Sequence, residues 1–349
     1  MSVPEGVDLA ALADYFAKHV EGASTGAELH AELISGGRSN LTYRIGDDTR
    51  HWVLRRPPLG HVLPTAHDMG REFRVISALA HTDVPVPRAL ALCEDDTVNG
   101  ASFYVMEEVE GRILRDPSDF EGLTPADARR CSEQLVDVLA RIHAVDYEDV
   151  GLGDFGRPDG YVERQLRRFA QQRARSQTRD LPGLDDLERR LNAALPRSGA
   201  ATIVHGDYRL DNTMLAHDDV GRIVAVLDWE MATLGDPLAD VGMFLLYWGI
   251  PDAQVVATGI ALAPESGFLS SDDVVERYAR ITGRPVDDLD FYVALGAYKL
   301  AIIVEGIHAR FLQGKTLGEG FDEMGDLVPR LIEAALDIAR NSSMPALSG

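Results

Sequence analysis

The chain has 349 residues, 45% of them hydrophobic and 26% charged, with a net charge of −22 at pH 7. That length supports two lobes and a sizeable core, and the negative excess argues against general nucleic-acid binding. No run of eighteen apolar residues marks a membrane span, the N-terminus lacks the basic-then-apolar order of a signal peptide, and Cys93 and Cys131 lack metal-ligand spacing, so a reduced cytoplasmic setting is expected.

Residues 32–45 read as strand, glycine turn, strand. Gly36 and Gly37 let backbone approach a phosphate, and Ser39 and Asn40 can donate hydrogen bonds. A plain hairpin turn is the simpler reading of the same residues. Residues 51–58 form a third strand stopped by proline. Residues 70–79 have helical periodicity, with Phe73, Ile76 and Leu79 on one face and Glu72 near the start. Residues 84–92 and 101–106 read as two more strands, the second running into an acidic turn at 107–111. No lysine occurs between Lys18 and Lys299.

Thr124, Pro125 and Asp127 open a helix as N-cap, first residue and first-turn acid. Leu135, Val138, Leu139 and Ile142 form its buried stripe, and His143 reads as a packed helix-end histidine. The helical stretch 161–179 carries Arg164, Arg167, Arg168, Arg173, Arg175 and Arg179. This basic island is either a solvated face or a site for an anionic substrate.

A β-branched run at 201–204 leads into His205-Gly-Asp-Tyr-Arg-Leu-Asp-Asn212, and a strand at 223–227 ends directly at Asp228. Asp and Asn also form turns, but here the acids stand at strand ends, where rigid elements can aim them. Phosphoryl transfer needs one carboxylate to orient a hydroxyl and two oxygen ligands for Mg²⁺, which keeps several waters and so needs few protein donors. Further on, 241–249 and 291–304 read as buried helices, with Tyr292, Tyr298, Glu305 and His308 as core or cleft residues. Residues 326–340 read as a terminal helix and 341–349 as a frayed tail.

The pattern from 205 to 240 resembles the aminoglycoside phosphotransferase family, small-molecule kinases related to protein kinases, and the likeness extends over residues 30 to 330. It implies an α+β, protein-kinase-like two-lobe fold: an antiparallel-sheet N-lobe at 1–107, a hinge at 108–111 and a mainly helical C-lobe at 112–349. It implies Asp207 as the base, Asn212 and Asp228 as Mg²⁺ ligands, and His205 and Asp240 as supports of the catalytic loop. Asp240 also reads as a helix N-terminal acid favoured by the dipole. On the nucleotide side it implies a phosphate-covering turn at Gly36, Gly37, Ser39 and Asn40, and purine contacts from the backbone of Glu107 to Val109. Arg55 stands where kinases carry a strand lysine paired with a helix glutamate, so Arg55 with Glu72 would hold the phosphates through a planar fork rather than a point charge.

Asp211, Glu230, Arg164, Arg167 and Arg168 are the candidates on the substrate side. The Leu-Arg-x-Pro-Pro form at 54–58 is similar to a subgroup, the kinase-like region of acyl-CoA dehydrogenase 10/11-type proteins, associated with hydroxyacyl thioesters. The implied activity is ATP- or GTP-dependent phosphorylation of a small-molecule hydroxyl, with no nucleic-acid or membrane partner. An aminoglycoside and a hydroxyacyl-CoA or other anionic alcohol both stay open as acceptor. The missing lysine keeps a catalytically silent, nucleotide-binding module as the alternative. Oligomeric state is not legible.

Overall fold

The computed structural model describes residues 3–35, 40–47, 49–59, 67–197, 199–257, 264–314 and 323–349. Contacts divide the chain into two units, Met1–Gly111 with Val224–Ala232, and Arg112–Ile223 with Thr233–Gly349. Segment 224–232 lies within the range expected for the C-lobe, yet packs with the first unit.

In the first unit α1 (Leu9–His19) is capped by Asp8, whose carboxylate accepts from the Ala11 N–H. Five strands follow: β1 (His30–Ser35), β2 (Leu41–Gly46), β3 (His51–Arg56), β4 (Ala89–Cys93) and β5 (Phe103–Glu107), with α2 (Met69–Leu79) and the short α3 (Asp96–Asn99) between them. They form one sheet in the order β1-β2-β3-β5-β4, every pairing antiparallel. Side chains alternate across a strand. Trp52 and Leu54 therefore join Phe16, Tyr43 and Phe103 in the core under α1, which leaves Arg55 on the opposite face, toward α2.

The strand expected at 84–92 forms only over Ala89–Cys93. Pro85 and Pro87 lack the N–H that a ladder needs. Instead the Pro85 carbonyl accepts from the Val226 N–H at 2.8 Å. With Arg71 Nη2 donating to the Ala232 carbonyl at 3.1 Å, this ties segment 224–232 into the unit.

The second unit opens with α4 (Pro125–Ala144), where Thr124 and Asp127 form a reciprocal capping box. α5 (Tyr161–Ser176) and α6 (Leu184–Ala193) follow, then β6 (Thr202–Val204), β7 (Thr213–Leu215) and, after β8 (Ile223–Val226), which belongs to the first unit from Val224 on, β9 (Thr233–Gly235). β6 pairs antiparallel with β9, Val204 opposite Thr233. The turn after β7 closes with Ala216 N–H to the Arg222 carbonyl.

The remaining helices are α7 (Leu238–Gly249), α8 (Pro251–Ala257), α9 (Ser271–Thr282), α10 (Leu289–Leu312), α11 (Met324–Asn341) and α12 (Pro345–Ser348). α10 is the axis of the core, packed on α7, α11 and α5. By length and composition it is long and apolar enough to cross a membrane, although Lys299 and Glu305 interrupt its apolar run. However, 72% of its most apolar window is buried inside the protein, so its apolar character is already used in packing.

The expected frayed tail is also corrected. Leu347 is fully buried, and its carbonyl accepts from Arg190 Nη1 at 2.9 Å.

Candidate active site

The loop that follows β6 is shaped by one buried carboxylate. Asp240, in the first turn of α7, accepts from the His205 N–H and the Gly206 N–H, both at 2.7 Å. His143 Nε2 lies 3.2 Å from the same carboxylate, and His143 Nδ1 lies 2.8 Å from the Tyr278 hydroxyl. Burial pushes Asp240 upward, but the bond and charge of His143 and the loop amides outweigh it, so the carboxyl sits below its usual range. Gly206 adopts φ +85°, a left-handed conformation that strains any residue with a Cβ. The sequence treated His143 as packing; its position against Asp240 makes it part of the support.

Past Gly206 the chain presents Asp207. Asn212 Nδ2 donates to the Asp207 carbonyl at 2.8 Å and to Asp207 Oδ2 at 3.1 Å. Arg209 Nε lies 3.4 Å from Asp207 Oδ2, and Arg209 Nη2 lies 3.2 Å from Asp211 Oδ2. The Arg209 guanidinium also covers the Tyr247 ring, 5.1 Å from its centroid. Asp211 is buried, which raises its carboxyl pKa, opposed by Arg209. From α10, Lys299 Nζ donates to the Gly206 carbonyl at 2.9 Å. Lys299 and Arg209 escaped the sequence reading. The sole hint was that Lys299 is one of three lysines, set inside an apolar helix.

In the first unit Arg55 bridges two acids: Nε to Glu72 Oε2 at 3.1 Å and Nη2 to Asp228 Oδ1 at 2.5 Å. Glu72 is buried, and burial lifts its carboxyl to about 7 against the pull of Arg55. Arg55 is held charged; the surrounding acids, Glu72 foremost, outweigh the cost of its burial. Asp228 has φ +63°, a strained backbone for a residue with a side chain, of the kind that gathers at functional sites. Asn40 Nδ2 donates to Glu230 Oε2 at 3.1 Å and to Glu72 Oε2 at 3.5 Å. Glu107 ends β5, its N–H bonded to the Arg88 carbonyl at 2.9 Å, and Val109 follows, half-buried. Gly36, Gly37 and Ser39 lie outside the described residues.

The arginine island is largely committed to packing. Arg164 donates to the carbonyls of Asp159 and Arg157, and Arg167 pairs loosely with Glu163. Arg173 binds Asp185 and Glu188, and Arg179 binds Glu305. Arg168 stays exposed, and its charge opposes protonation of Lys299. Tyr292 and Tyr298 donate to Asp236 and Glu188, as core groups do.

Residues 30–271 match a sequence family described as the phosphotransferase enzyme family. The chain belongs to that family. Acyl-CoA dehydrogenase family member 10 of Mus musculus is 37% identical over 306 residues, covering 87% of this chain and 28% of that protein. The phosphotransferase chain thus spans less than a third of that relative's length. A crystal structure assigned as an aminoglycoside phosphotransferase from Ralstonia eutropha is 36% identical, covers 96% of this chain and 99% of its own, and has a TM-score of 0.84. Aminoglycoside phosphotransferase APH(4)-Ia, solved with ADP and hygromycin B, is 14% identical over 96% of this chain and 99% of its own, with a TM-score of 0.64, a likeness of fold alone. The phosphotransferase therefore has the kinase-like α+β fold, and small-molecule phosphoryl transfer is the chemistry of its family.

Proposed function

We propose that the chain transfers the γ-phosphoryl group of ATP or GTP to a hydroxyl of a small molecule. The observation that carries this is the catalytic loop: Asp207 braced through Gly206 and clamped by Asn212, on a loop whose amides are tied to a buried Asp240. In this reading the Asp207 carboxylate accepts the hydroxyl proton, the freed oxygen bonds to the γ-phosphorus, and the bond to the bridging oxygen breaks to release the nucleoside diphosphate. Arg55, set by Glu72, holds the α- and β-phosphates.

Asn212 and Asp228 would hold Mg²⁺, which when bound neutralises charge on the phosphates. The donor chemistry suits that ion: a side-chain amide and a carboxylate both offer hard oxygen donors. Few protein ligands suffice for Mg²⁺.

For the acceptor we infer an anionic alcohol, with a hydroxyacyl-CoA first. The support is two cations beside the loop that carries Asp207, Arg209 and Lys299, in a chain of net charge −22, together with the acyl-CoA dehydrogenase name of the relative. A silent nucleotide-binding module is the second reading, favoured by arginine at position 55.

The test is Mg²⁺-dependent consumption of ATP and GTP against aminoglycosides, choline-like amines, sugars and hydroxyacyl-CoAs, with Asp207→Asn as the blank. Acceptor-stimulated turnover that vanishes in the blank supports the kinase. Nucleotide binding without turnover on any acceptor favours the silent module.

A further inference from the structure

The second unit contains a lysine whose placement packing alone does not explain. Lys299, itself half-buried, lies in α10 between fully buried Tyr298 and buried Leu300. A cation in such surroundings normally sits against a carboxylate, because desolvating an unpaired charge is costly. Lys299 has no ion-pair partner among the described residues; its ammonium donates to a single acceptor, the Gly206 carbonyl, at 2.9 Å. Burial lowers its pKa, partly opposed by the charges of Asp207 and Asp240. The chain holds 34 basic residues, of which only Lys18, Lys299 and Lys315 are lysine. A guanidinium needs a forked set of acceptors, whereas an ammonium on a flexible stem serves one carbonyl as a point charge.

Gly206 is thereby held on both sides. Its N–H goes to Asp240 and its carbonyl to Lys299. Asp240 fixes the peptide before Gly206, and Lys299 fixes the peptide after it, which is the peptide that carries Asp207. At φ +85° the glycine is free to rotate unless both peptide planes are tied.

We propose that Lys299 is a positioning residue for phosphoryl transfer: by binding the Gly206 carbonyl it sets the peptide plane that aims Asp207. This rests on the kinase reading, with Asp207 as base. Displacing a base by about an ångström costs on the order of 100-fold in rate, so the consequence falls on turnover rather than on nucleotide binding.

The experiment measures ADP formation from Mg²⁺-ATP, with water and with each acceptor of the panel above, for the whole chain as wild type, Asp207→Asn, Lys299→Met and Lys299→Ala. Mg²⁺-ADP binding is followed by calorimetry, and the folded fraction by circular dichroism. The expected result for Lys299→Met is a kcat lower by roughly 10- to 100-fold, with KM for ATP and affinity for Mg²⁺-ADP within about twofold of wild type. Lys299→Ala should regain part of its kcat when propylammonium is supplied, because a free ammonium can reoccupy the space beside the Gly206 carbonyl. A purely structural lysine would give no such rescue. Lys299→Met turning over within about threefold of wild type, or losing activity only in proportion to its folded fraction without propylammonium rescue, overturns the inference. Wild-type protein without any Asp207-dependent turnover removes the kinase reading, and this inference with it, whereas the Lys299 arms alone can fail while that reading stands.

Discussion

Asp207 is hydrogen-bonded by Asn212 Nδ2 and sits 3.4 Å from Arg209 Nε. Asp207→Asn keeps the shape and removes the proton acceptor, so kcat should fall by at least about 100-fold, the lower end of general-base contributions. Mg²⁺-nucleotide affinity should hardly change; unchanged turnover would remove Asp207 from the chemistry. Arg55 makes a different prediction. It spans Glu72 and Asp228 with two nitrogens of one fork, a reach that a single ammonium lacks. Arg55→Lys should therefore weaken ATP binding by roughly tenfold, the effect of one lost charge-assisted bond of about 1.4 kcal/mol. Arg55→Ala also strands the buried Glu72, and should lower stability by about 3–5 kcal/mol in urea unfolding. An Arg55→Lys protein with wild-type KM for ATP would argue that the fork is not the phosphate contact.

At the scale of elements, the loop between β6 and β7 owes its shape to groups on α7, α4 and α10. Asp240, fully buried, carries two loop amides and faces His143. Its carboxyl is held below the ordinary aspartate range in the folded state, the bond and charge of His143 outweighing burial. A depressed acid stabilises the fold at pH values above its unfolded value, and that contribution is lost as pH falls through the lower folded value. Stability from this carboxylate should thus persist from neutral pH to about 4 and fade only in stronger acid. Asp240→Asn turns one amide acceptor into a donor, and should cost about 2–4 kcal/mol at neutral pH. Its unfolding free energy should also lose part of the acid-side slope; a variant as stable as wild type at pH 7 would show that the loop is held by other means. α10 likewise serves two ends, since the helix that supplies the core of the second unit also presents Lys299 to Gly206.

At the scale of the molecule, the residues assigned roles in the proposed reading fall as Arg55, Glu72 and Asp228 in the first unit and Asp207 and Asn212 in the second. A ligand that binds only the folded chain stabilises it by mass action, about 2.7 kcal/mol at a hundredfold excess over Kd. Mg²⁺-ADP should therefore raise the melting temperature of this chain without any dehydrogenase portion, even though the chain spans 28% of the Mus musculus relative. Asp228→Ala should make any residual ADP-induced shift independent of Mg²⁺. A full Mg²⁺-dependent shift in that variant would take Asp228 out of metal binding.

Sequence by itself determined the fold class and the sites where local chemistry is self-contained. The five-residue step from Asp207 to Asn212 gives a clamp within one turn, and Thr124 with Asp127 forms a capping box. Those contacts depend on near neighbours, so spacing reveals them. Alternation along β3 put Arg55 on the face opposite the Trp52–Leu54 core, and the start of a helix was legible at Glu72, but their meeting depends on how α2 lies on the sheet. Only the tertiary structure decided the rest. Lys299 and His143 approach the loop across 93 and 97 positions, to Gly206 and Asp240, and no local pattern marks such a meeting. The arginines between 161 and 179 looked alike in sequence, yet Arg173 and Arg179 found carboxylates on α6 and α10 while Arg168 stayed in solvent. The physical reason is that a side chain's function depends on what desolvates it and what it faces. Periodicity sets which side of an element it leaves from, and packing sets what waits there.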